Sequence, residues 1–224
     1  MYICLFDIDG TLLASGGAGK AAMERALVTE FGVGRIDHSV PFSGRTDRAI
    51  GRDLLRRHGL EASEENWQRF LAGYLGHLPG HLASHDGKVL PGIASLLEQL
   101  ANRHNVAVGL LTGNVREGAR LKLSHYDLYH HFAFGGFGDH HWERDDVARE
   151  ALEVVHKEFG DELSPDQIWV IGDTPLDVQC ARCIGARVAA VGTGWHSMSE
   201  LEAARPDLLV ADFSDAAPLL ELWS

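Results

Sequence analysis

The sequence predicts an α/β protein with a Rossmann-like, doubly wound parallel sheet and an inserted α-helical segment. The chain opens on an apolar run, Tyr2–Phe6, that is typical of a strand buried on both faces. From residue 88 onward, strand-like and helix-like segments alternate, which is the pattern of a parallel sheet covered by helices. Between these parts, residues 14–88 have helical periodicity and no strong strand pattern.

The inserted segment is predicted to contain three helices. The first covers Ala18–Phe31, which is rich in residues that favour helices, and ends at Gly32. Apolar residues at three- and four-residue spacing indicate a second helix near residues 50–58, before Gly59, and a third over residues 67–78.

The change of pattern at both ends of the insert predicts two domains. Residues 1–14 and 88–224 are expected to form the α/β core, and residues 15–87 a helical cap domain. Gly16 and Gly87 lie near the junctions, where glycine would allow the two domains to move against each other.

The second half of the chain is predicted to supply most of the sheet and its covering helices. Each apolar run of strand length is followed by a segment of helical periodicity. The predicted helices cover residues 91–103, 114–124, 143–159, 176–184 and 199–204, and the predicted strands cover residues 105–111, 132–134, 167–171, 187–191 and 208–210.

Composition excludes several classes of partner. Hydrophobic residues make up 45% of the 224 residues, and the net charge is −12, which disfavours nucleic acid or an anionic membrane surface as main partner. The chain contains no apolar run of about 18 residues, so no membrane span is expected. Met1 leads directly into a strand without a basic segment, so we expect a cytoplasmic protein, either monomer or homodimer.

The three cysteines fit a reducing compartment. Cys4 lies in the first predicted strand, where it acts as a small hydrophobic residue. Cys180 and Cys183 form a C-x-x-C pair within a predicted helix, which leaves redox or zinc binding open. A second ligand pair at zinc-finger spacing is missing, so packing of both thiols on the sheet is the favoured interpretation.

Two carboxylates follow the first strand, in the segment Asp-Ile-Asp-Gly-Thr over residues 7–11. Parallel sheets bind ligands beyond the carboxyl ends of their strands, and Gly10 permits a sharp turn there. Asp7 and Asp9 would repel each other unless a cation lay between them. Mg²⁺ is the natural candidate because it prefers carboxylate and carbonyl oxygens.

Two later strands also end in polar residues. Thr112, Gly113 and Asn114 follow one strand and precede a helix, where they would form either an anion cradle or a simple helix cap. Asp173 and Asp177 follow another, where they would hold a metal or cap the next helix and complement its dipole.

Taken in order, these segments resemble the motifs of the haloacid dehalogenase-like (HAD) superfamily, in its phosphoglycolate phosphatase-like branch with a helical cap. The resemblance implies that Asp7 is the nucleophile and Asp9 the general acid/base. It implies that Thr112 binds the substrate phosphoryl group, that Asp173 is a metal ligand and that Asp177 is a supporting acid.

The resemblance also implies the rest of the site. Mg²⁺ would be held by Asp7, Asp173 and the backbone carbonyl of Asp9, and the substrate is a small phosphorylated metabolite. The further substrate-binding positions that it implies are Gly10, Gly113 and Asn114.

The third motif of the family is a cation, usually lysine, near the start of a helix. Between residues 125 and 165 the basic residues are Arg144, Arg149 and Lys157. Lys157 would lie about 20 Å along its helix, so we assign the role to Arg144, whose guanidinium binds oxyanions in a bidentate way. A surface ion pair with neighbouring acids is the alternative.

The insert offers a further substrate contact. Arg45, followed by Arg48, lies in a glycine-arginine segment that is similar to one by which capped phosphatases contact substrate. A loop that leads into a helix capped by Thr46 or Asp47 is an equally good interpretation.

The function implied is a Mg²⁺-dependent phosphatase that hydrolyses a phosphoglycolate-like or sugar phosphate monoester through an aspartyl-phosphate. A phosphomutase of the β-phosphoglucomutase type would share every core motif. A haloacid dehalogenase would not need Asp9, and a non-catalytic binding module would not need the full set of acids.

Overall fold

The computed structural model describes residues 1–223 and is built on a six-stranded, wholly parallel sheet. The strand order is β5-β4-β1-β6-β7-β8, so the first strand lies in the middle of the sheet. A separate antiparallel pair is formed by β2 and β3. The strands are β1 (Tyr2–Phe6), β2 (Leu13–Ala14), β3 (Lys88–Val89), β4 (Val106–Leu111), β5 (Gly135–Gly136), β6 (Ile168–Gly172), β7 (Arg187–Val191) and β8 (Leu208–Val210).

Helices fill the connections between the strands. In residues 1–223, no helix is both long and apolar enough to cross a bilayer. The helices are α1 (Ala18–Phe31), α2 (Asp47–Arg57), α3 (Glu64–Ser84), α4 (Ile93–Ala101), α5 (Arg116–His125), α6 (Arg144–Phe159), α7 (Pro175–Cys183), α8 (Met198–Ala203) and α9 (Ala217–Glu221).

Each face of the sheet is covered, which confirms the predicted doubly wound α/β fold. Side chains of β1 alternate between two hydrophobic clusters, because successive residues of a strand point to opposite faces. Cys4 and Phe6 pack with α4, α5 and α9. Ile3 and Leu5 pack with α6, α7 and α8, and this second cluster contains Cys180 of the C-x-x-C segment.

The insert has a hydrophobic cluster of its own. Residues of α1, α2 and α3 surround Phe70 and Tyr74, and Val115 joins them from the core. The two chain segments that enter and leave the insert pair as β2 and β3, with Leu13 opposite Val89. The sequence pattern missed this short pair. The division into two domains at residues 14 and 88 stays a prediction.

Hydrogen bonds fix the insert to the core. The N–H of Asp47 donates to the carbonyl of Gly113 at 2.7 Å. In return, the Asp47 carboxylate accepts the N–H of Val115 at 2.9 Å and so caps the start of α5. Thr46 donates its hydroxyl to the carbonyl of Trp142. Thr46 is itself the N-cap of α2, so the capped-helix interpretation of this segment is confirmed.

Three sequence predictions need correction. The helix expected from residue 114 begins at Arg116, because Asn114 turns its side chain inward and the capping acid comes from the insert. The strand expected over residues 132–134 lies at Gly135–Gly136, where it pairs with the end of β4. The terminal helix α9 was not expected. The other predicted helix and strand boundaries agree with the structure to within two residues. The exceptions are α2, which begins three residues earlier than predicted, and α3, which extends beyond the prediction at both ends.

The carboxylate that links insert to core makes stability depend on pH. Burial raises the pKa of Asp47 from 3.8 to about 6, although Lys122 and the Val115 N–H act in the opposite direction. The folded state therefore binds a proton more tightly than the unfolded chain, and stability falls as pH rises through this window.

We expect Asp47→Asn to remove the contribution of this carboxylate to the pH dependence. Between about pH 4.5 and pH 8, the free energy of unfolding of the wild type should fall by about 2 kcal/mol more than that of the variant, measured by urea unfolding in EDTA. Asp161→Asn, at an exposed position, is the control and should follow the wild type. An Asp47→Asn profile parallel to that of the wild type would contradict the assignment.

Candidate active site

The carboxyl ends of neighbouring parallel strands bring the polar residues together. Asp7 follows β1, Thr112 follows β4 and Asp173 follows β6, and β1 pairs with both β4 and β6. The N–H of Asp7 donates to the carbonyl of Ile171 in β6 at 2.9 Å. The ends of these strands thus lie side by side, as expected for a ligand site at the edge of an open sheet.

Three buried carboxylates form a cluster at this edge. Ligand oxygens of Asp7, Asp173 and Asp177 all lie within 4.8 Å of one another. Burial raises the pKa of Asp7 to about 6, against the effect of Arg144. Burial, and then the charges of Asp177 and Asp7, raise the pKa of Asp173 well above its usual range. Thr11 donates its hydroxyl to Asp173 at 3.1 Å, a contact that sequence reasoning missed.

Asp177 is already fully engaged within the protein. One of its oxygens accepts the N–H and the hydroxyl of Thr174, at 2.9 and 2.8 Å, in the capping box that starts α7. Its other oxygen accepts a hydrogen bond from Arg144. The predicted supporting acid therefore anchors a helix and an arginine, and Asp7 and Asp173 are the acids of the cluster that remain for a cation.

Arg144 lies where the assignment of the third motif requires a cation. It is the first residue of α6, and its Nη2 lies 3.0 Å from an oxygen of Asp7 and also contacts Asp177. Burial would lower the pKa of the guanidinium, but the charges of Asp177 and Asp7 outweigh it and raise the pKa well above its usual value. The surface-arginine alternative is wrong, because only 7% of Arg144 is exposed.

The surroundings of Asp173 fit a metal ion. Gly10 and Gly194 pass so close that a Cβ at either would lie 2.4 or 1.7 Å from the same Asp173 oxygen. Glycine at both positions keeps the carboxylate free of side chains. One arginine faces three buried acids, so a further cation is needed for all three to be ionised together. Carboxylate oxygens in that setting are the donors that hard divalent cations such as Mg²⁺ take.

Asp9 lies in a second network beside the cluster. One of its oxygens accepts hydrogen bonds from Lys122 at 2.6 Å and from the Asn114 amide at 2.9 Å. The same amide group donates to the hydroxyl of Thr112 at 2.9 Å, and the Asn114 carbonyl accepts from Lys122 at 2.6 Å. Asn114, predicted to bind substrate, thus uses its side chain to join Thr112 to Asp9.

Lys122 is the residue of this site that sequence reasoning missed. It lies on α5 and is 4% exposed. Burial would lower the pKa of its ammonium group, but the charges of Asp9 and Asp47 outweigh it and raise the pKa. Its position in the sequence offered a signal, because helical spacing puts Lys122 near the apolar Ala119 and Leu123 on one side of the helix. A lysine that is buried there needs an acidic partner.

The arginines of the insert do not reach the acidic cluster. Arg45 donates to the Asp53 carboxylate at 2.6 Å and to the carbonyl of Pro41 at 3.0 Å. Its backbone is closer to the site, because a Cβ on Gly113 would lie 2.2 Å from the Arg45 carbonyl oxygen. Arg48 stacks on Trp142, with 4.7 Å between the guanidinium carbon and the ring centroid.

A cavity of about 920 Å³ lies between the insert and the core. Its floor contains Asp7, Asp9 and Asp173 together with Lys122 and Arg144. Its volume is at the upper end of the range of about 300–1,000 Å³ that small-molecule sites occupy. The site can therefore take an anionic group at its floor and a sizeable organic body above it.

Comparisons with known proteins agree with this geometry. Residues 4–191 match the family model described as haloacid dehalogenase-like hydrolase. A phosphoglycolate phosphatase of Synechococcus elongatus is 30% identical over 217 residues, which cover 96% of this chain and 95% of that protein.

Two solved structures share the fold. A predicted phosphoglycolate phosphatase from Haemophilus somnus superposes with a TM-score of 0.74 at 21% identity, over 98% of this chain and 97% of that one. CbbY from Rhodobacter sphaeroides, solved in complex with phosphate, gives a TM-score of 0.76 at 19% identity, over 96% of both chains.

The buried ion pairs of Arg144 predict a large effect on stability. Arg144→Met would leave Asp7 and Asp177 buried without their cation, and should lower the free energy of unfolding in EDTA by about 3 kcal/mol or more. Arg149→Met removes an arginine of the same helix that forms an exposed pair with Asp146, and should cost less than about 1 kcal/mol. Equal effects of the two substitutions would contradict the described role of Arg144.

Proposed function

This chain is a phosphatase of the haloacid dehalogenase-like hydrolase family, and on that premise we propose that it hydrolyses small phosphate monoesters by transferring the phosphoryl group to Asp7. Mg²⁺ would be held by Asp7, Asp173 and the backbone carbonyl of Asp9. Phosphoglycolate, after which the Synechococcus relative is named, and sugar phosphates are the first substrates to test. The three thiols are free, which suits a cytoplasmic location.

One observation carries the proposal: Asp7 and Asp173 lie in one buried cluster, and Asp9 lines the same cavity. Asp7 also contacts Arg144 at 3.0 Å. A nucleophile, an acid/base and a cation thus face the same cavity floor. Phosphoryl transfer requires chiefly this positioning and the stabilisation of charge.

In the first step, a carboxylate oxygen of Asp7 forms a bond to phosphorus. The bond between phosphorus and the ester oxygen breaks, and Asp9 gives its proton to the leaving alcohol. In the second step, Asp9 takes a proton from water, and the water oxygen bonds to phosphorus. The bond to Asp7 breaks, so inorganic phosphate leaves and both acids return to their starting states. A bound Mg²⁺ would offset the repulsion between anionic nucleophile and anionic phosphate.

Three groups would stabilise the charge on the phosphoryl oxygens: the Thr112 hydroxyl, the N–H of Gly113 and Arg144. Arg144 lines the cavity floor and contacts Asp7 there, which supports a substrate-binding role for its guanidinium in addition to its ion pairs.

Lys122 and Asn114 would act as positioning residues. Both donate to the same oxygen of Asp9, so they fix the orientation of the acid/base relative to Asp7. The insert, residues 15–87, would act as the cap that closes this floor against bulk water. Arg45, at the rim of the cavity, would contact substrate only after release from Asp53.

The central test is Mg²⁺-dependent release of inorganic phosphate from a panel of phosphate esters. We expect Asp7→Asn to lower kcat by at least about a thousandfold in a protein that remains folded. Rapid acid quench of the wild type should show one phosphoryl group on the peptide that contains Asp7. Hydrolysis by Asp7→Asn at the wild-type rate would contradict the assignment of Asp7 as the nucleophile. Interconversion of sugar phosphates without release of phosphate would identify a mutase instead.

The positioning role of Lys122 has a separate test. We expect Lys122→Met to lower kcat by up to about a hundredfold with a smaller change in KM, because Asp9 loses its fixed orientation. Lys122→Arg should restore part of the rate, since it keeps a donor near Asp9. Lys157→Met, at an exposed position on α6, is the control. A change in KM alone would show that Lys122 contacts substrate rather than Asp9.

A further inference from the structure

Part of the lining of the cavity between insert and core is apolar. It includes Met23, Val40, Phe42 and Ile50 from the insert and Leu13 from the core, and these five residues are called the apolar wall. This wall is present while the insert is hydrogen-bonded to the core through Asp47 and Gly113. The apolar lining is therefore a property of the docked arrangement.

Trp195 adds an exposed aromatic ring to the same cavity. The residue is 94% exposed, although tryptophan is among the most costly side chains to leave in water. Its loop is anchored on both sides. Thr193 donates its hydroxyl to the carbonyl of Gly10 at 2.6 Å, and His196 lies within hydrogen-bonding distance, 3.2 Å, of Ser43. The loop thus keeps Trp195 among the residues that line the cavity.

The cations that line this cavity within residues 1–223 already have acidic partners. Arg144 pairs with Asp7, and Lys122 pairs with Asp9. Arg45 pairs with Asp53, at 2.6 Å, within the insert. The remaining cation is Lys20, which lies 3.8 Å from Glu24 and is 42% exposed. Arg144 and Lys122 serve the acidic floor, so a second anionic group on the substrate, such as a carboxylate next to the ester, would compete with Asp53 for Arg45 or with Glu24 for Lys20.

We propose that the preferred substrate of this phosphatase carries an apolar body, an aliphatic chain or a ring, on its leaving alcohol and no carboxylate beside the ester. The phosphate occupies the floor, the apolar body packs against the wall that contains Met23 and Ile50, and Trp195 covers it at the mouth. This inference rests on the proposed function and specifies its substrate class. Single exposed hydrophobic residues are ordinary on protein surfaces, but this one lines the same cavity as the apolar wall and the acidic floor.

The test compares primary alkyl phosphates, in which the ester bond is similar and the apolar body grows. We expect kcat/KM to rise from ethyl phosphate through butyl phosphate to 2-phenylethyl phosphate, by about tenfold or more over the series. We expect 2-phosphoglycolate to be turned over less efficiently than 2-phenylethyl phosphate. A flat or falling series would overturn the proposal.

Variants at the mouth test the role of the exposed ring. Trp195→Ala should lower kcat/KM for 2-phenylethyl phosphate by about three- to tenfold and should lower it less for ethyl phosphate. Trp195→Phe should retain most of the preference. Tyr129→Ala removes another exposed aromatic ring that is not part of the cavity lining. This variant should leave kcat/KM unchanged for both substrates. An unchanged ratio in Trp195→Ala would overturn the assignment of Trp195.

A binding measurement separates this inference from the proposed function. Calorimetry with Mg²⁺ should show tighter binding of 2-phenylethylphosphonate than of ethylphosphonate, about tenfold, and Trp195→Ala should reduce the difference. If this preference holds while no ester is hydrolysed, the proposed function fails and the binding preference stands. If esters are hydrolysed without any such preference, the proposed function stands and this inference fails.

Discussion

The structure depends on the partial neutralisation of buried acids at one edge of its sheet. Asp7, Asp173 and Asp177 converge there with a single buried guanidinium, that of Arg144, between two of them. Removing charged groups from water is costly unless each finds a partner. Arg144 contacts Asp177 and one oxygen of Asp7, whereas within residues 1–223 the hydrogen-bond partner of Asp173 is the Thr11 hydroxyl. That imbalance supports the proposal that a divalent cation and an anionic substrate bind at this edge.

The parallel sheet is what brings these acids together. Asp7 and Asp173 are far apart in the chain, but they follow adjacent strands whose carboxyl ends lie at the same edge. Gly10 and Gly194 then leave the space around Asp173 free of side chains. The fold thus brings the acids to one edge of the sheet, and the two glycines keep that edge accessible. The loops that follow the strands therefore supply both the acids and the space around them.

The insert contributes to the electrostatics as well as to the shape. Asp47 caps a core helix, and its charge and that of Asp9 both act on Lys122. One buried lysine therefore interacts with an acid of the insert and an acid of the core. The apolar wall belongs largely to the insert, so the proposed catalytic groups and the proposed contacts to the leaving group come from different parts of the chain.

The sequence by itself determined the α/β class and the helical insert and indicated most residues of the candidate site, because those depend on local features. Apolar runs and helical periodicity define elements, and Asp7, Thr112 and Asp173 could be found because each directly follows a strand. The position of Arg144 could also be reasoned from the length of α6. What only the tertiary structure decided were contacts between segments distant in the chain.

No local pattern shows that Lys122 meets Asp9, that Asp47 from the insert caps α5, or that Thr11 supports Asp173. No local pattern shows that Arg45 pairs with Asp53 either, and this pair fixes the position of the Arg45 guanidinium. A buried charge is satisfied by whichever partner the folded chain brings near. Its partner is therefore fixed by packing, and the sequence shows only that a partner must exist.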